Sequence, residues 1–496
     1  MRLPVKPISD LLVVGTLSAA VLLPAAVNAQ SSPSAHTSAS RYDNLGRIVG
    51  TIAPDPDGSG PIKHAATRTE YDTQGRPFKI ETGELSTWKS EAIAPSAWGS
   101  SFTILSSNET TYDVMDRKIK TVTRGSNNAI TGVTQYSYDN RGRLQCTAVR
   151  MNPTVYGALP ASACTLGTAG SEGPDRIAKN IYDNASQILR VQKALGTPIQ
   201  QDYVTYTYTQ NGKQASVVDA NGNRATYTYD GHDRLAKWNF PDKTSTGSTS
   251  SSDYEAYTYD DNGNKLTHRK RDGSVLSYQY DNLNQMTQKT VPTRTGLSST
   301  HTRNVFSKYD LRGLQLRARF DGINGEGVTN SYDGFGRMTS SQINMSGFNK
   351  TLTYLNDKNG NRTRVSHPDG QQFNYEFDGL NRVDHIKRST ASLASFSYNN
   401  RGQQASLNGG VASSMSYDNI GRISLLTHNL SGSANDVTFG FSYSPASQVI
   451  SRAISNNAYL WTGDVNVNRN YSVNGLNQYT GAGPANFTYD ANGNLT

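Results

Sequence analysis

Eight histidines, 40 acidic residues and two cysteines are the groups in this 496-residue sequence that could transfer protons or bind metal. The histidines, His36, His64, His232, His268, His301, His367, His385 and His428, show no HExxH or other ligand spacing. His232 stands in a turn, and His385 lies on a return strand after Phe377, so both read as surface residues. No GxSxG elbow, phosphate-binding loop or dinucleotide-binding glycine pattern is present. The Asp-x-Asn-Gly-Asn sequences at Asp219, Asp260 and Asp490 superficially suggest calcium loops. An EF-hand needs its glycine at the sixth position and a glutamate at the twelfth, whereas these have glycine at the fourth, which suits a hairpin turn. The other aspartates recur where a turn needs a cap, not where acid–base chemistry needs a pair. The expectation is a chain with no catalytic residue, metal or cofactor, and hence not an enzyme.

Cys146 and Cys164 flank a proline-containing segment, Met151-Asn152-Pro153 through Leu159-Pro160. They lack the CxxC spacing and neighbouring histidine of a zinc site. In an oxidising compartment they make a disulfide candidate, worth roughly 3 kcal/mol for a loop of this size.

The elements that must position these groups are strands. Hydrophobic residues make up only 35% of the chain, while Gly is 44 and Tyr 28, a composition that favours strands and tight turns. One unit repeats: aromatic-Asp-x-x-Gly-Arg followed by an aliphatic residue. Clean copies carry Tyr42, Asp43, Gly46 and Arg47; Tyr138, Asp139, Gly142 and Arg143; Tyr332, Asp333, Gly336 and Arg337; and Tyr417, Asp418, Gly421 and Arg422. Degenerate copies begin at Tyr71, Tyr112, Tyr182, Tyr208, Tyr229, Tyr259, Tyr280, Tyr309, Tyr354, Phe377, Tyr398, Tyr443, Tyr471 and Tyr489. A unit of roughly 21 residues with insertions accounts for the spacing.

Asp first and Gly fourth are the preferences of a type I turn, and Gly tolerates the left-handed bulge that follows it. Asp43 then faces Arg47 and Tyr42 faces Ile48 across the strands. Because adjacent strand residues point to opposite sides, each hairpin is expected to carry its Asp–Arg pair on one face and its Tyr–aliphatic pair on the other. A lone hairpin is marginal, but many side by side share a continuous buried face of aromatic rings. The fold class is all-β, an extended antiparallel β-hairpin repeat array over residues 30–496. Insertions fall near 78–110, with Trp88 and Trp98, and near 145–180, with both cysteines. They are expected as loops or extra strands on one edge. The Thr, Ser and Gly run at 244–252 reads as a flexible loop.

Arg2 and Lys6 precede an apolar stretch from Leu11 to Leu23, and Val27-Asn28-Ala29 offers small residues for cleavage before Gln30. Residues 1–29 therefore read as a secretory signal peptide, too short in its apolar core to span a bilayer comfortably. The mature chain is expected to be periplasmic, cell-surface or extracellular, with no membrane span. The formal net charge of +8 is scattered, and the basic run His268-Arg269-Lys270-Arg271 ends at Asp272-Gly273. A nucleic-acid partner would need a basic stripe or patch, so none is expected.

The Tyr-Asp-x-x-Gly-Arg unit resembles the YD repeat of Rhs proteins, wall-associated protein A and the teneurins, across residues 42–496. The resemblance implies a β-strip that spirals into a hollow shell, which in bacterial relatives encloses a variable C-terminal toxin. The stretch Tyr471–Tyr479 looks like the one that precedes the conserved core of such proteins. Toxin-bearing relatives carry an Asp-Pro-x-Gly-Leu type signature that closes the shell and supplies self-cleaving carboxylates. This sequence has none, which argues against self-cleavage and against toxin delivery by this chain alone. It stops within the copy Tyr489–Thr496, before a return strand is expected to pair. The implied partner is a C-terminal core or toxin segment outside this chain, and the implied role is a structural scaffold in bacterial competition. The alternative is a surface adhesin that binds glycans through Trp88, Trp98, Trp238 or Trp461. Burial of these rings in the repeat core or under the insertions is the favoured reading.

Overall fold

Alternating Thr, Tyr, Val and Ser build strands, and each Asp-x-x-Gly-Arg loop reverses the chain. The computed structural model describes residues 37–58, 60–461, 463 and 468–496; the expected signal peptide, 1–29, lies outside the described residues. From Ala39–Tyr42 to Val449–Ile454 the chain forms one 32-stranded antiparallel sheet. Each strand pairs with its sequence neighbours. Three short strands, Tyr471–Val473, Tyr479–Ala482 and Ala485–Asn486, make a second sheet. Apart from short 3-10 turns the described residues hold no helix, so the all-β hairpin array expected from the repeat is the fold.

The turns follow the loop chemistry. The Asp43 N–H donates to Arg47 O and the Gly46 N–H to Asp43 O, both at 3.0 Å, which closes a type I turn with a bulge. Gly46 and Gly142 sit at φ 75° and 78°, a region L side chains avoid. Where the unit lacks glycine, Asp116 (φ 61°) and Asn381 (φ 60°) take the place, as short polar residues can. The bulge sets Tyr42 opposite Ile48, Tyr138 opposite Leu144, Tyr332 opposite Met338 and Tyr417 opposite Ile423.

Two copies start later than their aromatic suggests. Asp357 and Gly360 form the turn after Tyr354, so Asn356, opposite Arg362, holds the tyrosine position. After Tyr471 the turn is Asn474–Gln478, and Val473 holds the position opposite Tyr479. The final copy does close, with Tyr489 bridging Leu495 and the Thr496 N–H donating to Thr488 O (3.0 Å). The low-complexity run is also more ordered than expected. Residues 249–252 belong to the strand Thr249–Tyr259, and the Asp242 carboxylate accepts the Thr244 and Ser245 N–H groups at 2.9 Å.

The strip coils back on itself. Its repeat loops form one edge and its return turns the other, and repeat loops late in the chain seat on return turns early in the chain. The Gly379 N–H donates to Pro56 O (3.0 Å), the Ser126 N–H to Asn419 O (3.3 Å) and the Gly475 N–H to Lys243 O (3.0 Å). Arg401 donates to Leu105 O at 2.5 Å, across 296 residues. The Asn492 amide donates to the Asp272 carboxylate at 2.8 Å, across 220 residues. Accumulated strand twist of one hand gives such a coil.

Fully buried apolar side chains gather where two loops fold over a sheet face. Residues 86–101 cover Ile52, Ala66, Leu85 and Phe102 with Trp98, so tightly that a Cβ on Gly50 would lie 2.6 Å from Pro95. The segments 78–85 and 102–110 on either side belong to strands of the array. Residues 151–175 pack Ala163 against Cys146, Ala148 and Ile177, and the Cys146–Cys164 disulfide joins loop to strand.

Candidate functional site

The chemically distinctive feature is the junction between neighbouring hairpins. Within a unit, the aspartate binds its own arginine: Asp43–Arg47, Asp139–Arg143, Asp333–Arg337 and Asp418–Arg422 are each 2.7 Å apart. The other carboxylate oxygen accepts backbone N–H groups two and four residues on, as at Leu45 and Arg47. The guanidinium then reaches into the next unit. Arg47, Arg143 and Arg422 lie over the rings of Tyr71, Tyr182 and Tyr443 at 4.4–4.5 Å. Arg143 and Arg337 donate to the backbone oxygens of Asp183 (2.8 Å) and Asp357 (2.5 Å).

The tyrosines complete the link in the opposite direction. Tyr138 donates its hydroxyl to Lys118 O (2.8 Å), Tyr332 to Gln315 O (3.0 Å) and Tyr417 to Gln404 O (2.7 Å), always in the preceding unit. At Tyr354's copy the Asn356 amide makes the equivalent bond to Met338 O (3.4 Å). Tyr42, on the first described strand, is 61% exposed. The expected separation of the two pairs onto opposite faces therefore fails. The bulge breaks the alternation, and arginine meets the next tyrosine along one seam. The rings are half-buried within this ladder.

Burial pushes the hydroxyls of Tyr138, Tyr208 and Tyr417 up, which keeps them protonated donors. Tyr138→Phe leaves the ring under Arg117 (4.5 Å) and deletes only the bond to Lys118. We expect about 1 kcal/mol of lost protection in residues 118–150 by hydrogen exchange. An unchanged exchange pattern would remove the hydroxyl from the ladder.

Elsewhere the charged groups neutralise one another. Glu81 is buried between Arg68 (2.5 Å) and Lys79 (2.7 Å); burial raises its carboxyl, but the two cations outweigh it and hold it below the ordinary range. Glu255 accepts from Tyr257 (2.5 Å) and contacts His268 (3.2 Å), while burial and that bond push the Tyr257 hydroxyl up. An open cleft of about 470 Å³ is lined by Arg271 and Asp272, already paired with Asp253 and Arg294. Among the described residues no group of His, Cys, Asp and Glu is placed to hold a metal, and no helix is long and apolar enough to cross a membrane. Of the tryptophans, Trp98 is in the core, Trp88 packs against it, Trp238 stacks with Tyr227 and Phe240, and Trp461 is exposed.

The coiled fold has counterparts among solved structures. The chain shares its fold with Tc toxin chains. TcdB2-TccC3 aligns at a TM-score of 0.62 and 15% identity over 92% of this chain. TcdB2-TccC3 without its hypervariable C-terminal region gives 0.61 at 16% identity, and the Tc holotoxin pore of Photorhabdus luminescens 0.60 at 16%. This chain spans about a quarter of the length of those chains. No family model matches the sequence, and no curated protein matches it.

Proposed function

We propose that this chain is a wall segment of an Rhs-like shell that encapsulates a toxin carried on a C-terminal segment, and that it acts in bacterial competition. The observation that supports this most is the seating of late repeat loops on early return turns, which turns a ribbon into a wall. The likeness in fold to Tc toxin chains, one of which is described by its hypervariable C-terminal region, points the same way. In this reading the chain is a scaffold and not itself an enzyme, and its charges are engaged in turns and seams. Export fits the Cys146–Cys164 disulfide, which persists in oxidising compartments.

The test is protease protection. The coding sequence that follows Thr496 is expressed in frame with this chain and, separately, alone. The C-terminal segment is expected to resist trypsin when joined to the coil and to be digested when free. Equal digestion in both forms, or no core, toxin or neighbouring immunity gene in the locus, would overturn the reading.

A further inference from the structure

The loop edge of the strip is covered in one part of the chain and bare in the other. From Gly379 onward the repeat loops meet return turns of the preceding coil, and their apolar tips Leu380, Ile420 and Leu476 are half-buried. Before that point apolar loop residues stand out into solvent, Phe335 at the equivalent position with only its own unit's Arg337 beside the ring, and Val114 and Leu311 one residue earlier in the loop. Val114 is 99% exposed, Leu311 96% and Phe335 88%. The return edge shows the converse. Early return turns such as 219–223 receive Asn477, whose amide donates to Asp219 at 2.8 Å. Later return turns, at 345–348, 389–391 and 409–411, are exposed. One chain thus presents both halves of an interface it has already formed once within itself.

We propose that the bare tip edge at Val114, Leu311 and Phe335 is the docking surface for the exposed return edge of a second copy of this chain. The copy stacks as one more coil, and the interface repeats the tip-on-return seating that holds the two coils together here. Continuity with that internal seam argues for a copy of the same chain, because the copy carries the complementary turns in the same order. The contact is heterologous, so successive copies add head to tail. The inference does not depend on what the wall encloses.

Sedimentation velocity of the full chain tests it. The mean sedimentation coefficient is expected to rise with concentration between about 1 and 100 µM, the range of transient protein contacts. Val114→Asp with Leu311→Asp, at two exposed tips that tolerate polar residues, is expected to abolish the rise and leave the circular dichroism spectrum and melting temperature unchanged. Phe348→Asp, on the bare return turn, is expected to abolish it equally. Excess double variant, which keeps its return edge, should shorten the assemblies of the unmodified chain. A monomer at every concentration, or association that survives either substitution, would overturn the proposal. Neither result bears on whether a C-terminal segment is protected.

Discussion

Asp175→Ala is expected to remove about 3–5 kcal/mol from the fold of residues 151–175, because it strands a buried guanidinium. Arg150 and Asp175 pair at 2.6 Å with side chains 1% and 3% exposed. Arg150 donates further to Gln135 (2.6 Å), Thr165 O (2.8 Å) and Ser162 O (3.1 Å). Asp175 accepts the N–H groups of Met151 (2.9 Å) and Gly167 (2.8 Å). The bonds from Arg150 to Asp175, Thr165 and Ser162 tie the 151–175 loop to the strand Leu144–Arg150 beneath it, and those from Asp175 to Met151 and Gly167 hold the loop's own shape, so losing the carboxylate releases the loop. Reducing Cys146–Cys164 at the same site costs roughly 3 kcal/mol through chain entropy alone. The double substitution Arg150→Met, Asp175→Leu is expected to recover only part of the loss, since no charge remains unpaired but Gln135, Ser162, Thr165, Met151 and Gly167 lose their partners. Hydrogen exchange across 151–175 distinguishes the variants. A loss under about 1 kcal/mol for Asp175→Ala, the scale of a surface pair, would contradict the argument.

That pair also shows where the sequence is mute. The hairpin is legible because its determinants are local: Asp43 caps, Gly46 takes φ 75°, and the bulge puts Tyr42 opposite Ile48. The two misplaced copies show which part of the unit governs. At Tyr354 and Tyr471 the aromatic suggests a start, but the Asp357–Gly360 and Asn474–Asn477 turns set the register two residues later. Asn356 can hold the place because its amide supplies the one bond the tyrosine hydroxyl otherwise makes. Relations between hairpins are a different matter. That Arg47 lies over Tyr71 depends on how adjacent hairpins twist, and the frequent recurrence of tyrosine next to the turn was the only hint of it. The seams between coils join residues 220 to 323 positions apart and follow from twist summed over many strands, which no local motif encodes. Arg150 and Asp175 carry no spacing that marks them as partners, and only the folded loop brings them together.

Acid is expected to open the coil from its seam, over a window set by the turn carboxylates. The Arg47 N–H is the largest influence on Asp43 and, with the Arg47 side chain, holds its carboxyl below the usual 3.8. The Arg117 guanidinium does the same for Asp113. At Asp139 and Asp418 burial pulls upward, and the bonds from Arg143 and Arg422 outweigh it. Asp272 is the extreme case and lies between the coils. Burial raises it, but Ser274, the Asn492 amide from the neighbouring coil and Arg294 hold it down to about 2. A carboxyl depressed in the folded state contributes stability that is complete above its unfolded value and lost as pH falls through its folded value. The loss therefore begins below about pH 4 and is nearly complete near pH 2, worth about 2 kcal/mol at the Asp272 seam. Hydrogen exchange across 485–496 should accelerate over this interval before the hairpins themselves melt. Asp272→Asn keeps the shape without the charge, so it is expected to weaken the seam at pH 7 and to flatten the acid response there. An acid response of unchanged steepness in that variant would show that the seam opens for another reason.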